Sequence, residues 1–152
     1  MLFGLALLAL FSVSCRSIAG PKGWASPLVS DDALLVSHRD ELFSLSSDGL
    51  RPNWAFPAEG SDIDVKALYG TPSLLDDTLY VPGYDGKLYA LEIETGRPVW
   101  VEAFDAGDSL IGGVAASGDA LYFGSDDGKV YSLEASTGRP RWATPFQASK
   151  GI

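Results

Sequence analysis

Trp100 and Trp142 close two blocks of nearly the same spelling, 42 residues apart, and this repetition limits the fold more than any other feature of the chain. Leu79 to Trp100 reads LYVPGYDGKLYALEIETGRPVW, and Leu121 to Trp142 reads LYFGSDDGKVYSLEASTGRPRW. A third, looser block from Ser26 to Trp54 lies 46 residues earlier at its Trp. A repeat of this length is one supersecondary unit, which must stack on its neighbours to bury a core.

Within each block the apolar spacing is that of short strands. Leu79 and Val81 flank Tyr80, and Leu88 to Leu91 follow after a turn, so two strands pair around Asp85-Gly86. Glycine accepts the positive φ that tight hairpin turns require. Thr95-Gly96 repeats the device before Val99-Trp100-Val101, a third strand that Pro98 places near a sheet edge, and Pro72 to Leu75 supplies a fourth. The next block repeats these turns at Asp127-Gly128 and Thr137-Gly138. Helix-period spacing is absent after residue 14. The expected fold is all-β, with about three four-stranded propeller blades over residues 24–152, divided near 24–68, 69–110 and 111–152.

The spelling resembles the repeats of PQQ-like (pyrroloquinoline-quinone-type) β-propellers, which carry the pattern A-x-D-x-x-T-G-x-x-x-W. Ala90, Thr95, Gly96 and Trp100 match it, with Glu92 in place of Asp; Thr137, Gly138 and Trp142 match again, with Glu134 for Asp and Ser132 for Ala. In the first block Gly49 comes one position early and no Thr precedes it, so that blade is degraded. The resemblance, over roughly residues 24 to 146, implies that Trp54, Trp100 and Trp142 dock between adjacent blades. A flat side chain that buries ~150–250 Å² suits such a contact.

Three blades fall short of the roughly four to eight of a closed propeller. The incomplete ring leaves three readings open: a fragment of a longer propeller, two copies that self-associate to close a ring, or a second polypeptide that completes it.

The net charge of −9 comes from 20 acidic against 11 basic residues, with acids gathered in turns such as Asp76-Asp77 and Asp126-Asp127. Nucleic-acid binding needs a basic footprint, and this chain has no Lys/Arg cluster. Asp85 and Asp127 occupy equivalent turns, and such repetition points to structure rather than catalysis. Glu59, Asp62 and Asp64 lie in a four-residue expansion of the linker after Trp54, the place in the array best suited to something specific, although a solvated loop also accounts for it. His38, the sole His, is expected in an exposed turn, and the sequence supplies no constellation of nucleophile and orienting partner for it. No stretch spells a calcium loop, so neither metal nor catalytic residues are expected.

Leu2 to Val13 is an uncharged run of 12 residues, too short for the ~20 of a membrane helix but suited to the core of an export signal. Cys15, the only Cys, follows Ser14 and resembles a bacterial lipoprotein cleavage site, which would make 1–14 a signal segment and Cys15 a lipidated anchor. A conventional signal peptide over 1–20, cleaved near Ala19-Gly20, is the alternative, and an uncleaved anchor a third. Arg16 after the Cys implies delivery to the outer membrane, facing the periplasm.

Taken together, the resemblance implies a non-enzymatic, protein-binding scaffold of the envelope, similar to the propeller lipoproteins of the outer-membrane β-barrel assembly machinery. The quinoprotein dehydrogenases share the repeat, and a remnant of one is the rival reading. They hold quinone and calcium through residues that no position here reproduces, so no cofactor is expected. A ligand- or polysaccharide-binding propeller is the remaining possibility.

Overall fold

The computed structural model describes residues 23–30, 33–49 and 51–148; Cys15 and the apolar stretch before it lie outside them. Among the described residues twelve strands form three four-stranded antiparallel sheets in a row. The first sheet holds β1 (Leu28–Val29), β2 (Ala33–His38), β3 (Glu41–Ser46) and β4 (Pro52–Phe56). The second holds β5 (Ser73–Leu75), β6 (Thr78–Pro82), β7 (Lys87–Glu92) and β8 (Phe104–Asp105). The third holds β9 (Ala115–Ser117), β10 (Ala120–Gly124), β11 (Lys129–Glu134) and β12 (Phe146–Gln147). Each sheet is a meander of sequence neighbours, and the three do not close a ring.

Period-two alternation decides which core each residue enters. In the middle sheet Leu79, Val81, Tyr89 and Leu91 face the first sheet, where they meet Leu35, Leu42 and Phe56. Their neighbours Tyr80, Leu88 and Ala90 point the other way and join Trp100 against Leu121, Phe123 and Leu133 of the third sheet. The middle sheet is thus buried on both faces, which is why β6 and β7 read as nearly unbroken apolar runs. Linker residues Val65 and Leu68 complete the first core; the Leu68 N–H donates to the Arg39 carbonyl at 2.7 Å.

Two expected details differ: the strand at Val99-Trp100-Val101, and the place of His38, which ends β2 rather than lying in the turn. Val99-Trp100-Val101 is not a strand: Leu91 makes one isolated bridge with Pro98, and pairing resumes only at β8, where Leu88 opposes Phe104. Proline has no N–H to extend a ladder, and the segment after it turns Trp100 towards the third sheet. The first hairpin is also shorter than the others. His38 pairs with Glu41 around a two-residue turn, whereas Pro82 pairs with Leu88. Arg39 takes φ +60° in that turn.

Candidate functional site

The clearest recurring constellation joins the Trp of one sheet to the Thr-Gly turn of the next. The Trp54 indole N–H donates to the Ile93 carbonyl at 3.0 Å, and a β-carbon on Gly96 would lie 2.6 Å from the Trp54 ring. The Trp100 N–H donates to the Ala135 carbonyl at 3.0 Å, and the Tyr80 hydroxyl donates to the same oxygen at 3.0 Å. Only glycine permits the ring to lie this close, and the turns need its positive φ as well: +68° at Gly96 and +71° at Gly138.

The Thr residues hold these turns from within. Thr95 Oγ1 donates to Glu92 at 2.5 Å and accepts from the Arg97 N–H at 3.3 Å; Thr137 does the same with Glu134 at 2.6 Å and Arg139 at 3.3 Å. Across each turn the Glu92 N–H donates to the Arg97 carbonyl and the Glu134 N–H to the Arg139 carbonyl, both at 2.8 Å. The first sheet has the same closure from Ser46 to Arg51, also 2.8 Å. Trp142 is the third Trp of the series; it is 40% exposed and tilts against Tyr122 at 6.1 Å between ring centroids.

Asp85 and Asp127 sit in equivalent hairpin turns, with φ +87° at Gly86 and +79° at Gly128, yet their electrostatics are opposite. Asp85 is half-buried and accepts from the Tyr89 hydroxyl at 2.5 Å; burial raises its pKa above the usual carboxylate value. Burial, together with the Asp85 carboxylate, also raises the Tyr89 phenol. Asp127 instead pairs with the Lys129 ammonium, which lowers its pKa. Tyr131, the counterpart of Tyr89, gives its hydroxyl to the Ala106 carbonyl at 2.9 Å and is not free for the acid.

An open cleft of about 450 Å³ lies beside the middle sheet, lined by Asp62, Asp64, Lys87, Tyr89, Trp100 and Glu102 among others. It brings the expanded linker expected to be specific next to the second blade. Asp64 Oδ1 accepts from the Lys66 N–H at 3.2 Å, which forms a local turn, while Ile63 packs on the first core. Glu59 is exposed and does not line the cleft. Val101, at the rim, is fully exposed. His38 is exposed at the end of β2 and is not among the cleft residues. Among the described residues no group of three or more His, Cys, Asp or Glu is placed to hold a metal ion. Nor is any described helix long and apolar enough to cross a membrane.

Sequence reasoning missed Tyr80 and Tyr122 as partners of the Trp residues. The signal was available: both tyrosines precede their Trp by 20 residues.

Comparison with known proteins bears on this arrangement. Residues 104–151 match the PQQ_2 family model, described as outer membrane protein assembly factor BamB. The crystal structure of BamB from Moraxella catarrhalis superposes with a TM-score of 0.62 at 28% identity, over 79% of this chain and 35% of that one. The quinohemoprotein alcohol dehydrogenase ADHIIG from Pseudomonas putida HK5 gives 0.66 at 19% identity, over 82% of this chain and 21% of that one. A europium-containing methanol dehydrogenase gives 0.68 at 16% identity, over 86% of this chain and 26% of that one. The chain therefore spans about a third or less of the length of these structures. No protein of curated function matches it in sequence. The three sheets have the fold of β-propeller blades.

Proposed function

We propose that this chain of PQQ-like blades is a non-enzymatic, protein-binding scaffold of the cell envelope, and that its partner is a component of outer-membrane protein assembly. The observation that carries this reading is the 28% identity with BamB over 79% of the chain, together with the family match at residues 104–151. Lipidation at Cys15 would hold the scaffold at the outer membrane, facing the periplasm. A scaffold needs an exposed contact surface and no reactive group. The acidic cleft at Asp62, Asp64 and Glu102, with the exposed Val101 at its rim, offers such a surface to a strand or loop that bears basic and apolar side chains.

The rival reading, a quinoprotein dehydrogenase remnant, is favoured by fold likeness to ADHIIG and the methanol dehydrogenase, at 19% and 16% identity. Calcium beside a quinone takes several oxygen ligands, and the described side chains gather no such group. The residues present therefore do not fit that cofactor.

The test places a photo-crosslinker at Asp62 or Glu102 in the native host and identifies the adducts by mass spectrometry. Adducts with a component of the outer-membrane assembly machinery are expected. Their absence, together with saturable binding of pyrroloquinoline quinone and calcium and with alcohol oxidation, would replace the scaffold by the dehydrogenase. Mass spectrometry of the mature N-terminus tests the anchor; an unmodified terminus at or after Ala19 would remove it.

A further inference from the structure

One large apolar or aromatic residue stands at the same place ahead of each sheet. Trp24, Tyr69 and Ile111 each lie four residues before the first strand of their sheet, which begins at Leu28, Ser73 and Ala115. They form a row along one rim. The Trp24 and Tyr69 rings are 4.7 Å apart, and Tyr84, from the β6–β7 turn, follows Tyr69 at 5.3 Å. A β-carbon on Gly70 would lie 2.1 Å from the Gly112 carbonyl oxygen, which brings Ile111 to the next place in the row. Leu68 and Leu110, the residues just before Tyr69 and Ile111, are inaccessible to solvent, yet Ile111 is 46% and Trp24 73% exposed.

The exposed indole is held in place by its own backbone. The Ala25 N–H donates to the Leu68 carbonyl at 3.2 Å, and a β-carbon on Gly23 would lie 2.2 Å from the Arg39 carbonyl oxygen. An apolar ring fixed in water at the head of such a row serves a contact rather than a core. Two basic residues border the row: Arg39, whose carbonyl accepts from the Leu68 N–H, and Lys66, whose neighbour Ala67 accepts from the Tyr84 N–H at 2.9 Å. Asp40 and Glu41 follow Arg39, and the chain carries a net charge of −9, so charge alone does not draw this rim to an anionic surface.

Successive rings are turned 74° and 73° to one another, so the row has no common plane on which a run of sugar rings could stack. Trp and Tyr, each with an apolar body and a polar tip, suit the headgroup level of a bilayer, and Lys and Arg reach its phosphates. The position of Trp24 in the chain points the same way. It lies nine residues after Cys15, and an acyl chain on that Cys keeps the indole within about 32 Å of the bilayer even at full extension.

We propose that the row of Trp24, Tyr69, Tyr84 and Ile111 rests on a phospholipid surface, with the Trp24 indole at headgroup depth. The proposal rests on the envelope reading, in which Cys15 brings the chain to the bilayer; the row makes the contact.

The experiment uses the mature chain from its native host, reconstituted with vesicles of phosphatidylethanolamine and a minor share of phosphatidylglycerol. Brominated acyl chains quench a tryptophan that reaches them, and the Trp24 signal is the difference between the wild type and Trp24→Phe. On vesicles that signal should shift to the blue, lose intensity with brominated lipid and resist acrylamide. Ile111→Asp, a change at an exposed position, should reverse the shift. A Trp24 signal that stays open to acrylamide on the vesicles would overturn the proposal. So would a photo-crosslinker in place of Trp24 that gives protein adducts and no phospholipid adducts, or protection of Trp24 by soluble polysaccharide without vesicles.

The mass of the same mature chain reads the anchor separately. An acylated chain whose Trp24 remains in water overturns the contact and leaves the anchor standing. An unacylated chain that floats with vesicles, and no longer does so as Trp24→Ala, keeps the contact and removes the anchor. One that does not float removes both.

Discussion

A β-carbon on Gly138 would lie 2.8 Å from two atoms of the Trp100 indole. The ring is buried in the core and held by its hydrogen bond to the Ala135 carbonyl, so it cannot turn aside without losing both. Gly138→Ala should therefore cost about 2–4 kcal/mol, the sum of overpacking and a left-handed backbone at a residue with a side chain. Gly118 has φ +59° but no atom within 4 Å of its would-be β-carbon, and Gly118→Ala should cost only about 1–2 kcal/mol. Urea denaturation of the two variants checks this; equal costs would show that the ring contact contributes nothing.

Trp100→Ala should destabilise the chain by about 3–5 kcal/mol, because it empties a core position and removes a donor from the Ala135 carbonyl. Trp142→Ala should cost less than about 2 kcal/mol, since the ring is already 40% exposed. Thermal melting of the two variants against the wild type gives the comparison, and a larger loss at Trp142 would refute it.

Asp85 and Asp127 should titrate on opposite sides of the ordinary aspartate value of 3.8. For Asp85 the folded pKa is raised, so its ionised form is a cost above that value, and the cost is relieved as the pH falls through it. For Asp127 the folded pKa is lowered, so the Lys129 pair stabilises above 3.8 and the contribution is lost as the pH falls through the folded value. Carboxyl-carbon NMR should find Asp85 protonating first on acidification. In Asp85→Asn the low-pH gain at that site should vanish; midpoints on the same side of 3.8 would contradict the assignment.

Amide exchange should be slowest in the middle sheet, at Leu79, Val81, Leu88 and Leu91, which are all inaccessible to solvent. The first sheet should exchange faster than the third. It carries a bulge between Ser44 and Leu45, and its turn lacks the Thr that ties Glu92 or Glu134. Protection in β2 and β3 equal to that in β6 and β7 would count against this order.

Much of the fold could be read from the chain because the repeat is spelled twice almost without change. The turns at Asp85-Gly86 and Asp127-Gly128 fall where the glycines put them, and the strands beside them begin and end within a residue or so of the alternating runs. The fourth strands could not be read: Phe104–Asp105 and Phe146–Gln147 are two residues each, too short for alternation to register. What identical spelling hides is the difference between Asp85 and Asp127. Their neighbours in sequence are alike, and the contrast arises because Tyr89 turns to the acid while Tyr131 turns to Ala106, a residue 25 positions away. The convergence of Tyr80 and Trp100 on Ala135 spans 55 and 35 residues, and local patterns do not encode distances of that kind.

The burial of the middle sheet on both faces bears on how substitutions are tolerated. A change at Leu79 or Leu91 disturbs one core and a change at Leu88 the other, but all three lie on the two strands of one hairpin, so the damage passes to either neighbour. Among the described residues the first and third sheets share one core each. Equivalent positions of a repeat are thus not equally free to drift: a sheet between two neighbours answers to both, and its spelling should be the last to wear away, whereas a sheet with one neighbour can lose letters such as the Thr and Gly missing at Gly49 and Leu50 and still stand.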